Sequence, residues 1–142
     1  MFGKIIDSVF ERFEVFEDGW SASIPNEFQF LDRPLMLRIQ TEPIKSLNPR
    51  KPNEQELALA RTVLANLEDI LPIVEEEFAL YHEDFPEFIE DAVNPHVWIS
   101  CDALEYDGPE RWSFIVEAAK NEFYGTHIVF DGIQFLETWA GD

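Results

Sequence analysis

The sequence predicts an α+β domain in which a curved, antiparallel sheet of about six to eight strands packs on one long, Pro-kinked central helix. Residues 53–84 carry apolar side chains at alternating spacings of three and four, which is the period of a helix. The segments on both sides alternate apolar and polar residues, which is typical of strands. We therefore expect the order strands, helix, strands, within a single domain that spans residues 1–142.

The first strands are predicted to form a hairpin. Apolar and polar residues alternate from Arg12, and Asp18-Gly19 separates this run from a second one, Trp20–Ile24. An Asp-Gly pair between two alternating runs is a strong signal for a tight turn. Met1–Phe10, which precedes the hairpin, fits either a short helix or a docked strand.

Another strand is predicted before the helix. Leu35–Thr41 places Leu35, Leu37 and Ile39 on one face, and a shorter run at Phe28–Leu31 precedes it. Glu42–Pro52 contains three prolines and is predicted to be a connecting loop.

The central helix is predicted to begin at Asn53, a good N-cap residue, with Glu56 placed to complete a capping box. Pro72 falls on the side opposite the apolar stripe, so we expect one helix that bends at Pro72 rather than two separate helices. Leu59, Ile73 and Leu80 lie off the stripe, which indicates either a broad buried face or a strip that contacts a partner. The stripe consists of Leu57, Ala60, Leu64, Leu67, Leu71, Val74, Phe78 and Tyr81.

The second half of the chain is predicted to add one or two helical turns and a group of strands. The predicted segments are helical turns at Glu87–Val93, strands at His96–Leu104 and Trp112–Val116, a linker or single turn at Ala118–Phe123, and strands at Gly125–Phe130 and Ile133–Trp139. Turns at Asp107–Glu110 and Asp131-Gly132 separate the strands.

Charge is distributed unevenly along the chain. The net charge is −19, and residues 62–142 contain nineteen acidic residues against only Arg111 and Lys120. This half disfavours binding to nucleic acid or to an anionic membrane surface, because it offers few cations to replace phosphate counterions. It would attract a basic protein. The predicted contact residues lie on the polar face of the helix: Glu68, Asp69, Glu75, Glu76, Glu77, Glu83 and Asp84.

Histidines and one cysteine are the candidate residues for chemistry. Cys101, His82, His96 and His127 do not have the spacing of a zinc site, so no metal is predicted. A catalytic pair of Cys101 with His127 or His96 is the enzymatic alternative. The sequence contains no phosphate-binding loop and no dinucleotide fingerprint, so no cofactor is expected.

Several segments together resemble a known kind of domain. They are Trp20 with the Leu35–Thr41 strand, then Gln55, Asn66 and Tyr81 in the helix, then Tyr124–Phe130 running on to Trp139–Asp142. This set resembles small bacterial domains of unknown function, some of which lie near toxin genes and are interpreted as immunity proteins. Such families often have an acidic residue and a histidine where this chain has Phe123 and Tyr124. The resemblance implies neither an enzymatic activity nor a cofactor.

Three hypotheses for function follow. The first is a non-enzymatic interaction domain, in its most concrete form an immunity-type inhibitor of a basic effector such as a nuclease. The second is a small cysteine- and histidine-dependent enzyme. The third is a structural or assembly subunit that pairs through the edges of its sheet. No window is apolar enough to cross a bilayer and the first residues do not form a signal peptide, so we expect a cytoplasmic protein.

Overall fold

A computed structural model describes residues 9–16, 18–43 and 48–141, except for the side chains at 122 and 123. Nine strands are present in these ranges: β1 (Glu14–Phe16), β2 (Gly19–Ser23), β3 (Gln29–Phe30), β4 (Arg33–Pro34), β5 (Met36–Gln40), β6 (Ala92–Ser100), β7 (Arg111–Ala118), β8 (Asn121–Asp131) and β9 (Gln134–Gly141). Four helices lie wholly within the same ranges: α1 (Glu54–Ala65), α2 (Leu67–Tyr81), α3 (Glu87–Glu90) and α4 (Cys101–Tyr106).

Seven of the strands form one sheet in the order β1-β2-β5-β6-β7-β8-β9. The neighbouring strands are antiparallel, with the exception of the parallel pair β5 and β6. The helices α1 and α2 connect these two strands and return the chain to the end of the sheet from which β5 started, so that β6 runs parallel to β5. The predicted α+β class is confirmed, and the antiparallel prediction holds for every pair of this sheet except β5–β6.

The hairpin predicted around Asp18-Gly19 is confirmed by the pairing of β1 with β2. The predicted first element falls mostly outside the described residues, of which Val9 and Phe10 are helical. Gly19 lies so close to the neighbouring strand that an added Cβ would be 1.9 Å from the carbonyl oxygen of Ile39. This position of β2 therefore requires glycine.

The prediction of one long helix kinked at Pro72 is not confirmed, because the helical run divides at Asn66. The backbone of Asn66 has φ −115° and ψ 14°, and its side chain donates to the carbonyl oxygen of Thr62 at 2.7 Å. Its own carbonyl oxygen accepts from the N–H of Ile70, which starts α2. An asparagine side chain competes with the backbone for such bonds and so ends one helix where the next begins. Pro72 lies inside α2.

The apolar stripe continues in phase across this division. Six of its eight predicted members are buried, whereas Leu57 is only partly buried and Tyr81 is exposed. The N-terminus of α1 is confirmed, since Asn53 and Glu56 form a capping box with bonds of 2.8 and 2.9 Å. The stripe packs on the sheet face that carries Leu37, Ile39 and their neighbours, and both belong to one core cluster.

Several boundaries in the second half differ from prediction. The helical turns predicted at Glu87–Val93 end at Glu90, and β6 already begins at Ala92 rather than at His96. The strand predicted to run through Leu104 ends at Ser100, and Cys101 begins α4, because Ala103, Leu104 and Glu105 favour helix. The segment Ala118–Phe123, predicted to be a linker or a single turn, contains a two-residue turn, and β8 starts at Asn121. No helix in the described part of the chain has the length and apolarity needed to cross a membrane.

Candidate functional site

The predicted contact residues lie on α2 and in the turn that follows it, and are here together called the acidic face. It consists of Glu68, Asp69, Glu75, Glu76, Glu77, Glu83 and Asp84. All are exposed except Glu77, which is partly buried. The first five lie on α2, and the last two lie in the turn that follows it. The face therefore belongs to one helix and its C-terminal turn.

The helix that carries the acidic face is firmly anchored. Ile70, Val74 and Phe78 on its opposite side are fully or almost fully buried. The ring of Phe78 packs edge-on against Phe30, with 5.5 Å between the ring centroids. Phe30 in turn contacts Phe114 of β7 at 5.3 Å. The positions of the carboxylates are thus set by contacts between α2 and the core.

The carboxylates of the acidic face are not neutralised from within the described structure. The salt bridges found among the described residues are Arg50–Glu56 and Arg38–Glu117, and neither involves this face. Glu83 and Asp84 follow the C-terminal end of α2, where the helix dipole is negative and the last turn contains no basic residue. Like charges near this end are unfavourable for the isolated protein and would be relieved by an external cation.

A groove opens beside the first turns of α2. Its volume is about 290 Å³, and it lies between α2 and the loop that links β2 to β3. Glu27, Phe28 and Gln29 line one side, and Glu68, Leu71, Pro72 and Glu75 line the other. Sequence reasoning missed Glu27 and Phe28, because nothing in the local pattern brings their loop next to α2.

Three exposed apolar side chains near the C-terminal end of α2 are here together called the apolar patch. Leu80 is 53% exposed, Tyr81 is 43% exposed and Phe85 is 59% exposed. Leu80 was one of the off-stripe residues, and its exposure favours the partner-contact interpretation for this position. The stripe period placed Tyr81 in the core, but the core ends one turn earlier at Phe78.

The three histidines occupy separate structural positions. Nε2 of His82 forms a 2.8 Å hydrogen bond with Oγ1 of Thr126. His96 is buried and its Nδ1 donates to the carbonyl oxygen of Asn94 at 2.8 Å. His127 stacks on Trp139, with 3.8 Å between ring centroids and 5° between ring planes. Within the described ranges, no group of three or more histidine, cysteine, aspartate or glutamate residues is arranged to hold a metal ion.

The surroundings of Cys101 do not activate its thiol. Burial and the nearby carboxylates of Asp102 and Glu56 raise the pKa of Cys101, which keeps the thiol protonated. Burial lowers the pKa of His127 and of His82, which favours their neutral forms. Among the described contacts, none joins Cys101 to His96 or His127. The geometry of a cysteine nucleophile with a histidine base is therefore not formed by these residues.

The comparisons with known proteins give no further identification: no family model, no curated protein and no solved structure matches this chain.

Proposed function

We propose that this protein is a non-enzymatic binding module whose acidic face docks a basic protein. The observation that carries the proposal is a set of exposed carboxylates on one well-anchored helix, with no cation paired to them in the described ranges. Complementary charge steers a partner toward such a surface and sets its orientation on contact. Because the face is fixed by the core, docking would need little rearrangement of this protein.

The most concrete form of the proposal is an immunity-type inhibitor that blocks a basic effector. The feature that supports it is the concentration of acidic residues in residues 62–142. An effector that acts on nucleic acid must present a basic surface to its substrate. An acidic inhibitor could cover that surface and exclude the substrate by competition.

The test compares two variants of equal net charge. One replaces Glu68, Glu75, Glu76 and Glu83 of the acidic face by glutamine. The other replaces four exposed glutamates elsewhere by glutamine, namely Glu14, Glu105, Glu110 and Glu137. Binding of a fluorescently labelled oligolysine peptide is measured for both variants at low and at high salt.

We expect the acidic-face variant to bind oligolysine about tenfold more weakly than the control variant, since four screened ion pairs of a few tenths of a kcal/mol each are lost. Binding by the unmodified protein should weaken as salt is added. Equal affinities for the two variants would show that net charge alone, rather than this face, governs binding. Binding that does not respond to salt would contradict the electrostatic basis of the proposal.

A further inference from the structure

The C-terminal end of α2 combines an apolar patch with the densest part of the acidic face. Leu80 follows Glu76 and Glu77 by one helical turn, so their side chains are neighbours on the helix surface. Glu83 and Asp84 come directly after this turn, between Tyr81 and Phe85. An exposed apolar patch rimmed by charged groups is the usual anatomy of a protein contact site.

The exposed rings of the patch stand on a packed aromatic cluster. Tyr81 packs edge-on against His82, with ring centroids 5.1 Å apart, and Phe85 packs against Phe88 at 6.5 Å. His82 and Phe88 stack on each other at 5.0 Å, and Phe88 also stacks on Tyr124 of β8 at 5.3 Å. The outer rings are thus supported by rings that are fixed to the sheet.

Backbone hydrogen bonds hold the turn that carries Phe85. The N–H of Phe85 donates to the carbonyl oxygen of His82 at 3.1 Å, and the N–H of Phe88 donates to that of Phe85 at 3.1 Å. The side chain of His82 also forms a hydrogen bond of 2.8 Å between its Nε2 and Oγ1 of Thr126. Little conformational freedom would be lost when a partner covers the two exposed rings, which favours their use as binding anchors.

We propose that Tyr81 and Phe85 form an arginine-selective anchor, and that a basic partner docks here by inserting an arginine side chain between these rings and the carboxylates of Glu76, Glu77 and Glu83. This inference rests on the proposed function and adds the identity of the residue that is recognised. A guanidinium group stacks on an aromatic face and at the same time donates paired hydrogen bonds to a carboxylate. A lysine ammonium offers the charge but lacks the flat surface and the paired donors.

Charge complementarity decides the occupant of the patch. A second copy of this chain would bring the same carboxylates into contact with each other, so like charges would oppose pairing at this site. An acidic or neutral partner would leave the carboxylates without partners as they lose water, which is costly. A cationic side chain with an apolar, planar surface can pack on the rings of Tyr81 and Phe85 and can also pair with the surrounding carboxylates.

The experiment measures the binding of oligoarginine and oligolysine peptides of equal length by fluorescence anisotropy. For the unmodified protein we expect oligoarginine to bind about threefold to tenfold more tightly, which corresponds to stacking on one or two exposed rings. The variant with Tyr81→Leu and Phe85→Leu keeps apolar area but lacks aromatic faces. We expect its preference for oligoarginine to fall by the stacking contribution, so that only the part due to paired hydrogen bonds with the carboxylates remains, and we expect its dependence on salt to be retained.

Tyr106→Leu is the matched control, because Tyr106 is an aromatic residue of α4 that is 76% exposed and lies outside the acidic face. This variant should keep the full preference for oligoarginine. An equal affinity of the unmodified protein for both peptides, or a preference that is undiminished in the double variant, would overturn the anchor while leaving the acidic face intact. If neither peptide binds at low salt, the proposed function itself fails.

Discussion

Glu56 shows how one side chain can serve two structural roles, of which only one could be predicted. Its place three residues after Asn53 predicts a capping box, and that bond is present. The carboxylate is also 1% exposed and accepts two bonds from Arg50, at 2.9 and 3.0 Å. Arg50 lies in a proline-rich loop without periodicity, so the pairing could not be read from the sequence. It fastens this loop to the start of α1.

His96 is a second residue whose burial has a measurable consequence. Its side chain is 3% exposed, and burial lowers its pKa from 6.5 to about 4, helped by the positive charge of Arg38. The bond from Nδ1 to the carbonyl oxygen of Asn94 acts in the opposite direction. Between pH 6.5 and about pH 4, His96 is therefore protonated in the unfolded chain but neutral in the folded protein. The stabilising effect of neutral His96 is present above this pH and is lost as the pH falls toward 4.

We predict that His96 alone lowers the free energy of unfolding by about 3 kcal/mol between pH 6.5 and pH 4. The measurement is urea unfolding at several pH values, for the unmodified protein and for His96→Gln, which keeps a neutral side chain. The variant should show a shallower loss of stability over this range. Carboxylates that titrate in the same range affect both proteins equally, so any difference between the two pH profiles comes from His96. Parallel profiles would contradict the prediction.

At the scale of the elements, periodicity predicted which residues face the core more reliably than where each helix begins and ends. The stripe is buried on both sides of Asn66, because a helical period survives a break that keeps the phase. The break depends on one side-chain bond from Asn66 to the backbone, which a hydrophobic pattern does not contain. Similarly, the parallel pairing of β5 with β6 follows from how the helices return the chain, and strand patterns alone favoured antiparallel pairing.

Pro72 offers a test of the backbone of α2. It lies inside the helix, is exposed, and has no N–H to donate to the carbonyl oxygen of Glu68. We predict that Pro72→Ala raises the free energy of unfolding by about 1–3 kcal/mol, because the missing hydrogen bond is restored and alanine favours helix. The midpoint of urea unfolding should shift while its slope stays constant.

Glu76→Ala is the control for that substitution, since it lies on the same exposed side of α2 without affecting the backbone. Its effect should stay within about 0.5 kcal/mol. A neutral or destabilising effect of Pro72→Ala would indicate that the proline ring makes contacts in the groove beside Phe28 that outweigh the missing bond.

For the whole molecule, composition shows where negative charge is concentrated but not the shape of the surface that carries it. The acidic half was visible as a run without lysine or arginine between Arg61 and Arg111. The groove and the exposed patch were not visible, because they depend on how distant segments meet: Glu27 with Glu68 in the groove, and Phe88 with Tyr124 beneath the patch. Such contacts between distant segments depend on the topology of the whole fold, and a local sequence pattern does not show them.

The same excess of negative charge predicts how the whole molecule responds to salt. With a net charge of −19, repulsion between carboxylates opposes the compact state. Raising sodium chloride from about 10 mM to about 150 mM shortens the Debye length from about 30 Å to about 8 Å and so weakens this repulsion. We therefore expect the midpoint of thermal unfolding, followed by circular dichroism, to rise over this range. The four-glutamine variant of the acidic face should show a smaller rise, because part of the repulsion is already removed. A midpoint that is constant or falls with salt would mean that repulsion between carboxylates does not lower the stability of the folded protein.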